Sequence, residues 1–234
     1  MRQLHWTESV LIGFDTETTG INPKTARILE AAIITQDPEG ILKEDDRIIY
    51  IDPEIKIPSE ASAVHGITAE KLKKLNAYRS NDGVRYISNF LQCRSFNRNY
   101  PLVIYNVTYD WPLLIEECKR ANHTPCFQPL FLDPLVIDRA LDKYRKGSRK
   151  LEDTAKIYGV QINGAHGAQA DAAAALGVMR ALIKKFPELK KYTIEEMQKL
   201  QTSWYRTWRD GINDFWGKSG KQERILGEWP YGER

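Results

Sequence analysis

The feature that most constrains this chain is a short apolar run that ends in acid: Val10-Leu11-Ile12-Gly13-Phe14, followed by Asp15-Thr16-Glu17. A run of this length closed by polar residues is a buried strand that delivers Asp15 at its end. Along a strand, residues i and i+2 point to the same side. The pattern therefore crowds two carboxylates onto one face of a sheet, which is costly unless something positive lies between them. A divalent cation is the obvious candidate. With 31 acidic residues in the chain, roughly four acid-x-acid pairs arise by chance. The weight falls on context, an apolar strand in front and the small polar turn Thr18-Thr19-Gly20 behind.

Two further strands follow. Arg27 to Gln36 is extended, Asp37-Pro38-Glu39-Gly40 has turn chemistry, and Arg47 to Ile51 is the third strand. Short connections make these three an antiparallel meander. The pattern then alternates. Val84, Ile87, Phe90 and Leu91 form a helical stripe over 82–94, and Leu102 to Tyr105 is a short strand. A helix runs from about Tyr109 to Arg120, with Pro112 tolerable only in its first turn. Pro129 to Ile137 begins extended, Leu151 to Tyr158 is a helix stopped by Gly159, and Gln169 to Lys185 is an alanine-rich helix.

The last segment differs in character. Thr193-Ile-Glu-Glu196 is a capping box, with Tyr192 and Met197 placed as a hydrophobic staple. Behind it, Met197, Leu200, Trp204, Trp208, Ile212 and Phe215 fall three or four residues apart, the stripe of one amphipathic helix. Packing back on the core, self-association and a partner's groove are three uses for it. Base stacking is a fourth, but the tryptophans form one continuous stripe with aliphatic residues, which favours protein packing over nucleic acid.

Composition excludes several classes. The chain has 234 residues, 42% of them hydrophobic, enough for a sizeable core without disulfides. No apolar run is long enough to span a bilayer, and Met1 to Glu8 lacks the apolar stretch of a secretory signal. The expected setting is cytoplasmic. Cys93, Cys118 and Cys126 form no metal-binding or disulfide pattern and read as reduced thiols. A net charge of +3 is too balanced to announce nucleic-acid binding by itself. The one dense basic stretch, Lys143 to Lys150, is either a solvated loop or a phosphate contact.

Two more places present acids at element ends. Asp110, in Asn106-Val-Thr-Tyr-Asp110, follows a short strand and opens a helix, a common place for an N-cap. His166 and Asp171 flank Gly-Ala-Gln-Ala, with Asp171 in the first turns of the alanine-rich helix. Alanines let that helix face approach another backbone closely, so that an acid on it can reach the end of the first strand; they are also simply good helix formers.

The order D-T-E-T-T-G, V-H-G-I-T, N-x-x-x-D and H-x-x-x-x-D, spread over Val10 to Phe186, resembles the DEDDh 3′→5′ exonucleases of the DnaQ-like family, which includes the proofreading epsilon subunit of bacterial replicative polymerase. The resemblance implies a ribonuclease-H-like α/β fold: a mixed five-stranded sheet with helices on both faces. Residues 1–190 would form the nuclease and residues 191–234 a C-terminal helical extension without a family counterpart. It implies that Asp15, Glu17, Asp110 and Asp171 hold two Mg²⁺ or Mn²⁺ ions and that His166 is the general base. Thr16, Thr18, Thr19, His65 and Asn106 would contact the terminal nucleotide, and Val64 to Thr68 would be a loop lying over the substrate terminus. Family members often carry His and Phe where this chain has Tyr105 and Tyr109, a departure that bears on stacking and nucleic-acid preference rather than on metal ligation. The implied substrate is single-stranded DNA or the 3′ end of a duplex, with the C-terminal helix available to a polymerase or to a second copy. An RNA or short-oligonucleotide nuclease and a catalytically inactive polymerase-associated module are the competing readings. All five site residues precede Thr193, so the extension is expected to carry no catalytic group.

Overall fold

The acid-tipped run becomes an inner strand of the sheet. The computed structural model describes residues 5–42, 46–96, 98–162 and 167–232. Strand β1 (Leu11–Thr18) pairs antiparallel with β2 (Ile28–Gln36), and β2 with β3 (Arg47–Asp52), giving the expected meander. On one side β3 meets β4 (Tyr78–Arg79) in parallel; on the other, β1 is followed by β5 (Leu102–Val103) and β6 (Phe131–Leu132), also parallel. The order is β4-β3-β2-β1-β5-β6. The sheet is mixed, as the family resemblance implies, but has six strands rather than five. The added edge strand, β4, is two residues long, too short for any alternation to reveal it.

The eight α-helices of the described residues are α1 (Ser59–His65), α2 (Ala69–Lys74), α3 (Ser80–Leu91), α4 (Val107–Arg120), α5 (Pro134–Leu141), α6 (Leu151–Ile157), α7 (Ala168–Lys185) and α8 (Ile194–Lys218). Alternation along β1 sorts the two cores. Ile12 and Phe14 pack with α3 and α4 on one face, through Val84, Ile87, Trp111 and Leu114. Leu11 packs with α7 on the other, through Ala172, Ala175, Leu176 and Met179. Gly13 points to the α7 face. A Cβ there would lie 2.8 Å from Leu176 Cδ1 and 2.9 Å from the Ala172 carbonyl, so glycine on the strand and alanine on the helix set the close approach together.

Three local expectations need correction. Val64 to Thr68 is not a plain loop: α1 ends at Gly66, whose φ of 67° is left-handed, and Thr68 caps α2 by accepting from Lys71 N–H at 3.2 Å. Because α1 buries none of its residues, no apolar stripe marks it. Helix α4 begins at Val107, so Pro112 falls inside the helix beyond its first turn and removes one backbone hydrogen bond. Phe215 is 64% exposed and does not share in the packing of its stripe; the packed face of α8 runs from Met197 to Ile212, with Trp216 beyond.

The capping box of α8 forms in both directions: Glu196 N–H donates to the Thr193 hydroxyl (3.2 Å) and Thr193 N–H to the Glu196 carboxylate (2.8 Å). The helix docks on the edge strand β6. Gln198 and Gln201 together accept from the Phe131 and Asp133 N–H groups (2.9 and 2.7 Å), and both donate to the Phe131 carbonyl. Two amide side chains thus do what a further strand would do for an open sheet edge. Among the described residues no helix is long and apolar enough to cross a membrane.

Candidate active site

The same alternation that sorts the cores divides the acids. Asp15 and Glu17 extend on the α7 side of β1, and Thr16 extends on the α4 side. Asp171, in the first turn of α7, is carried to the strand by the Gly13–Ala172 contact. Carboxylate oxygens of Asp15, Glu17 and Asp171 lie within 4.8 Å of one another. On the other side, Asp110 is 5% exposed in the first turn of α4 and accepts a hydrogen bond from the Thr16 hydroxyl at 2.5 Å. All four acids line one cleft of about 380 Å³, and Arg139, Arg149 and Lys150 line it too. His166 lies outside the described residues.

Four carboxylates in so small a space oppose one another's ionisation. Burial raises Asp15 well above the usual carboxylate range, and Asp110, Asp171 and Glu17 add to it. Burial, then the charge of Asp171, lifts Glu17 to about 7. Burial also lifts Asp110 to about 7, against the stabilising bond from Thr16. A fifth acid escaped the sequence analysis. Glu30 on β2 stands directly across the sheet from Glu17; it too is raised by burial, while Lys71, the Ala168 N–H at the start of α7 and the Tyr50 hydroxyl hold it. The available signal was one charged residue within a wholly buried strand, β2. The donor set is all oxygen and repels itself, which is the chemistry that hard divalent cations relieve.

Other residues set the geometry. Asp133 is buried, and its carboxylate accepts from the N–H groups of Asn106, Val107 and Leu135, each at 3.0 Å. It thereby fixes the turn before α4 and the start of α5 at once. Asn106, left-handed at φ 69°, lies in that turn. The Tyr109 hydroxyl donates to the Gly20 carbonyl and lies 2.6 Å from the Thr18 hydroxyl, tying α4 to the end of β1. His65 uses both ring nitrogens: Nδ1 accepts from Ile67 N–H (3.1 Å), and Nε2 faces the Thr18 carbonyl (3.2 Å) as the donor. That assignment makes it neutral, in keeping with a pKa lowered by burial. Thr19 is turned away from the cleft, its hydroxyl accepting from Arg27 N–H at 2.9 Å.

The basic stretch is a built corner. Arg145 and Arg149 both pair with the fully buried Asp138, Arg145 at 2.7 Å. The Tyr105 hydroxyl donates to the Arg149 carbonyl at 2.7 Å, so the tyrosine that departs from the family pattern anchors this corner to β5.

Beside the cleft runs a larger groove of about 700 Å³. The two share Thr16, Glu17, Asn106 and Tyr109. Thr18 and His65 line the groove, as do Tyr205 and Trp208 of α8. The extension expected to carry no catalytic group therefore helps to wall the site.

Comparison with known proteins agrees with this architecture. The exonuclease family model RNase_T matches residues 12–179. An uncharacterized exonuclease, CP81, of Escherichia phage 186 is 32% identical over 197 residues, 78% of this chain and 93% of that protein. The DNA polymerase III epsilon subunit of Rickettsia typhi is 30% identical over 209 residues, 81% of this chain and 86% of that protein. Among solved structures, E. coli exonuclease I in complex with a dA16 oligonucleotide superposes with a TM-score of 0.68 at 21% identity, over 79% of this chain. The match spans only 42% of that longer chain and concerns the fold alone. The matched segment holds every acid of the cleft, and the chain is a member of the exonuclease family, nucleases that use divalent metal ions at acidic clusters such as this one.

Proposed function

We propose that this exonuclease works from the 3′ end of DNA, releasing nucleoside 5′-monophosphates. The observation that carries the reading is the convergence of Asp15, Glu17, Asp110 and Asp171 from three separate elements on a single cleft that also has cationic lining. The DNA assignment draws on relatives named DNA polymerase III epsilon subunit and on the likeness to an exonuclease I that holds a dA16 oligonucleotide.

Asp15, Glu17, Asp110 and Asp171 would hold two Mg²⁺ or Mn²⁺ ions. When bound, such a pair acidifies water and offsets the charge of the phosphate. The rest falls to the chain. His166, on the strength of the resemblance, takes the proton of the attacking water; the water oxygen bonds to phosphorus, the bond from phosphorus to the 3′ oxygen breaks, and that oxygen keeps the electron pair and takes a proton from solvent. An imidazole with a pKa near about 6.5 has a useful neutral fraction at neutral pH. Arg139 and Lys150 face the phosphate. Thr16, Thr18, His65 and Asn106, which line the groove, contact the terminal nucleotide, and Thr19 supports them through the turn it holds. Three free cysteines suit a reducing, cytoplasmic setting. Association with a polymerase or a second copy would fall to the outer end of α8, where Phe215 is exposed.

Digestion of end-labelled DNA and RNA tests this. We expect a 3′ label on DNA to leave as mononucleotide and a 5′-labelled strand to shorten stepwise in Mg²⁺ or Mn²⁺, with EDTA stopping both. Release of the 5′ label first, internal cuts, or action on RNA alone would overturn the proposal.

A further inference from the structure

The wall that α8 gives to the groove is made of rings. Tyr205 and Trp208, one turn apart, have centroids 5.7 Å apart and planes tilted by 52°. Tyr205 is buried, and the returning tail closes on it: a Cβ at Gly232 would lie 1.9 Å from the Tyr205 hydroxyl oxygen. Arg139 of α5 lies over the Trp208 ring with its guanidinium carbon 3.8 Å from the centroid. The same Arg139 lines the acidic cleft. One side chain therefore reaches both the place where a phosphate would be cut and the ring beside it. Across the groove stand Ile21 and Val64, 96% and 64% exposed.

This is an apolar, ring-walled slot one step from a cleft built for a phosphate. In a nucleic-acid strand, each phosphate is joined through one sugar to a flat base whose faces stack on aromatic rings. Trp208 lies outside the segment that matches the exonuclease family, so the shared fold does not account for it. Trp208 packs against the core and under the Arg139 guanidinium, yet stays half-buried and keeps part of its surface on the groove.

We propose that Trp208, braced by Arg139, is the positioning residue for the 3′-terminal nucleotide: its ring stacks on the base while the Arg139 guanidinium meets the adjacent phosphate. The proposal rests on the DNA-exonuclease reading above and adds to it that the C-terminal helix forms part of the substrate site.

The test uses the full chain and a single-stranded oligonucleotide carrying 2-aminopurine at its 3′ end. Bound to the wild type in Ca²⁺, the probe's fluorescence is quenched by stacking; with Trp208→Leu, quenching at saturation is lost, and Trp208→Phe restores most of it. In Mg²⁺, Trp208→Leu raises KM roughly five- to 150-fold, the factor that corresponds to stacking worth about 1–3 kcal/mol per base, while kcat falls by a smaller factor. Trp216→Leu, two turns further along α8 and outside the groove, keeps the wild-type KM. Equal quenching and equal KM in Trp208→Leu would overturn the proposal. So would a loss of kcat with KM unchanged. A Trp208→Leu chain that does not fold leaves Trp208→Phe and Arg139→Gln to decide: weaker quenching in Arg139→Gln supports the brace, and wild-type quenching and KM in both variants reject it. If the wild type releases no nucleotide from any strand, the exonuclease reading itself has failed, which is a different result.

Discussion

The acidic cleft and the ring-walled groove meet along Thr16, Glu17, Asn106 and Tyr109, yet they are built in opposite ways. The cleft is made by the main chain. An inner strand, two helix starts and the turn fixed by Asp133 hold its acids in place, and all of these lie within residues 12–179. The groove is made by side chains from the periphery, from the short, exposed α1 on one side and from α8 with its tail on the other. The acids of the cleft thus lie wholly within the segment that matches the family, whereas the groove is walled by that segment on the α1 side and by residues beyond it, Tyr205 and Trp208, on the other. Changes to the cleft are expected to appear in kcat and metal dependence, and changes to the groove in KM.

The largest effect should come from removing an acid. Asp15→Ala or Asp171→Ala is expected to lower turnover on the order of 10³-fold or more, as loss of a charge-stabilising centre does, with the fold intact. The metal-free protein offers a second readout. Glu17 and Asp110 titrate near about 7 when folded, above the ordinary carboxylate value. The folded chain therefore binds protons more tightly than the unfolded chain, and the stability this provides is complete only below the ordinary carboxylate range and lost as pH rises through about 7. Tm in EDTA should fall between pH 5 and pH 8, and Mg²⁺ should raise it more at pH 8 than at pH 5. Asp15→Ala should flatten that slope. Full activity of either variant in Mg²⁺ would remove the cleft from the mechanism.

His166→Ala comes next. A positioned proton acceptor contributes roughly 10²–10⁴-fold, so kcat should fall by that factor while oligonucleotide affinity in Ca²⁺ changes far less. A rise in KM alone would make His166 a substrate-binding residue and not the base.

Gly13→Ala attacks the cleft from below. The added methyl meets Leu176 and the Ala172 carbonyl at under 3 Å, and a backbone carbonyl in a packed helix has little room to yield. Overpacking of this kind costs typically about 1–3 kcal/mol. It should shift α7, and Asp171 with it, away from β1. We expect a lower Tm together with a weaker response to metal. Loss of stability with an unchanged metal response would show that α7 can move without carrying Asp171 out of range.

The difference between cleft and groove also explains what could be read from the residues. Asp15, Glu17, Asp110 and Asp171 were legible because each stands at an element end marked by local signals: strand alternation, a helix start, a run of alanines. Asp133 announces itself in the same way, as an Asp before Pro at the start of α5, but that signal speaks of a cap and not of the turn at Asn106 that the same carboxylate holds. Glu30 needed the cross-strand register. Trp208 was visible as one tooth of an apolar stripe, and the stripe does not say what it covers. Only the docking of α8 on β6, through two glutamines that pass for surface residues in the sequence, brings that ring to the groove that Glu17 also lines.

Gln201→Leu should have the smallest effect and gives the finest test of the boundary between the two regions. Gln201 is fully buried, and its side-chain carbonyl is the acceptor for Asp133 N–H at 2.7 Å. Leucine fills similar space but leaves that N–H without its acceptor, a loss of about 1–3 kcal/mol. The Phe131 carbonyl keeps its bond from Gln198 at 2.7 Å, so the helix should stay docked and the chain folded, with a lower Tm. Gln201 lies one turn before Tyr205 and against the residue that fixes the turn of Asn106. If cleft and groove are separable, slackening this joint raises KM for an oligonucleotide a few-fold and leaves kcat nearly as it was, because the acids are held by β1, α4 and α7. If kcat falls more than KM rises, the strain has passed through Asp133 to Asp110, and the C-terminal helix belongs to the catalytic cleft as much as to the groove.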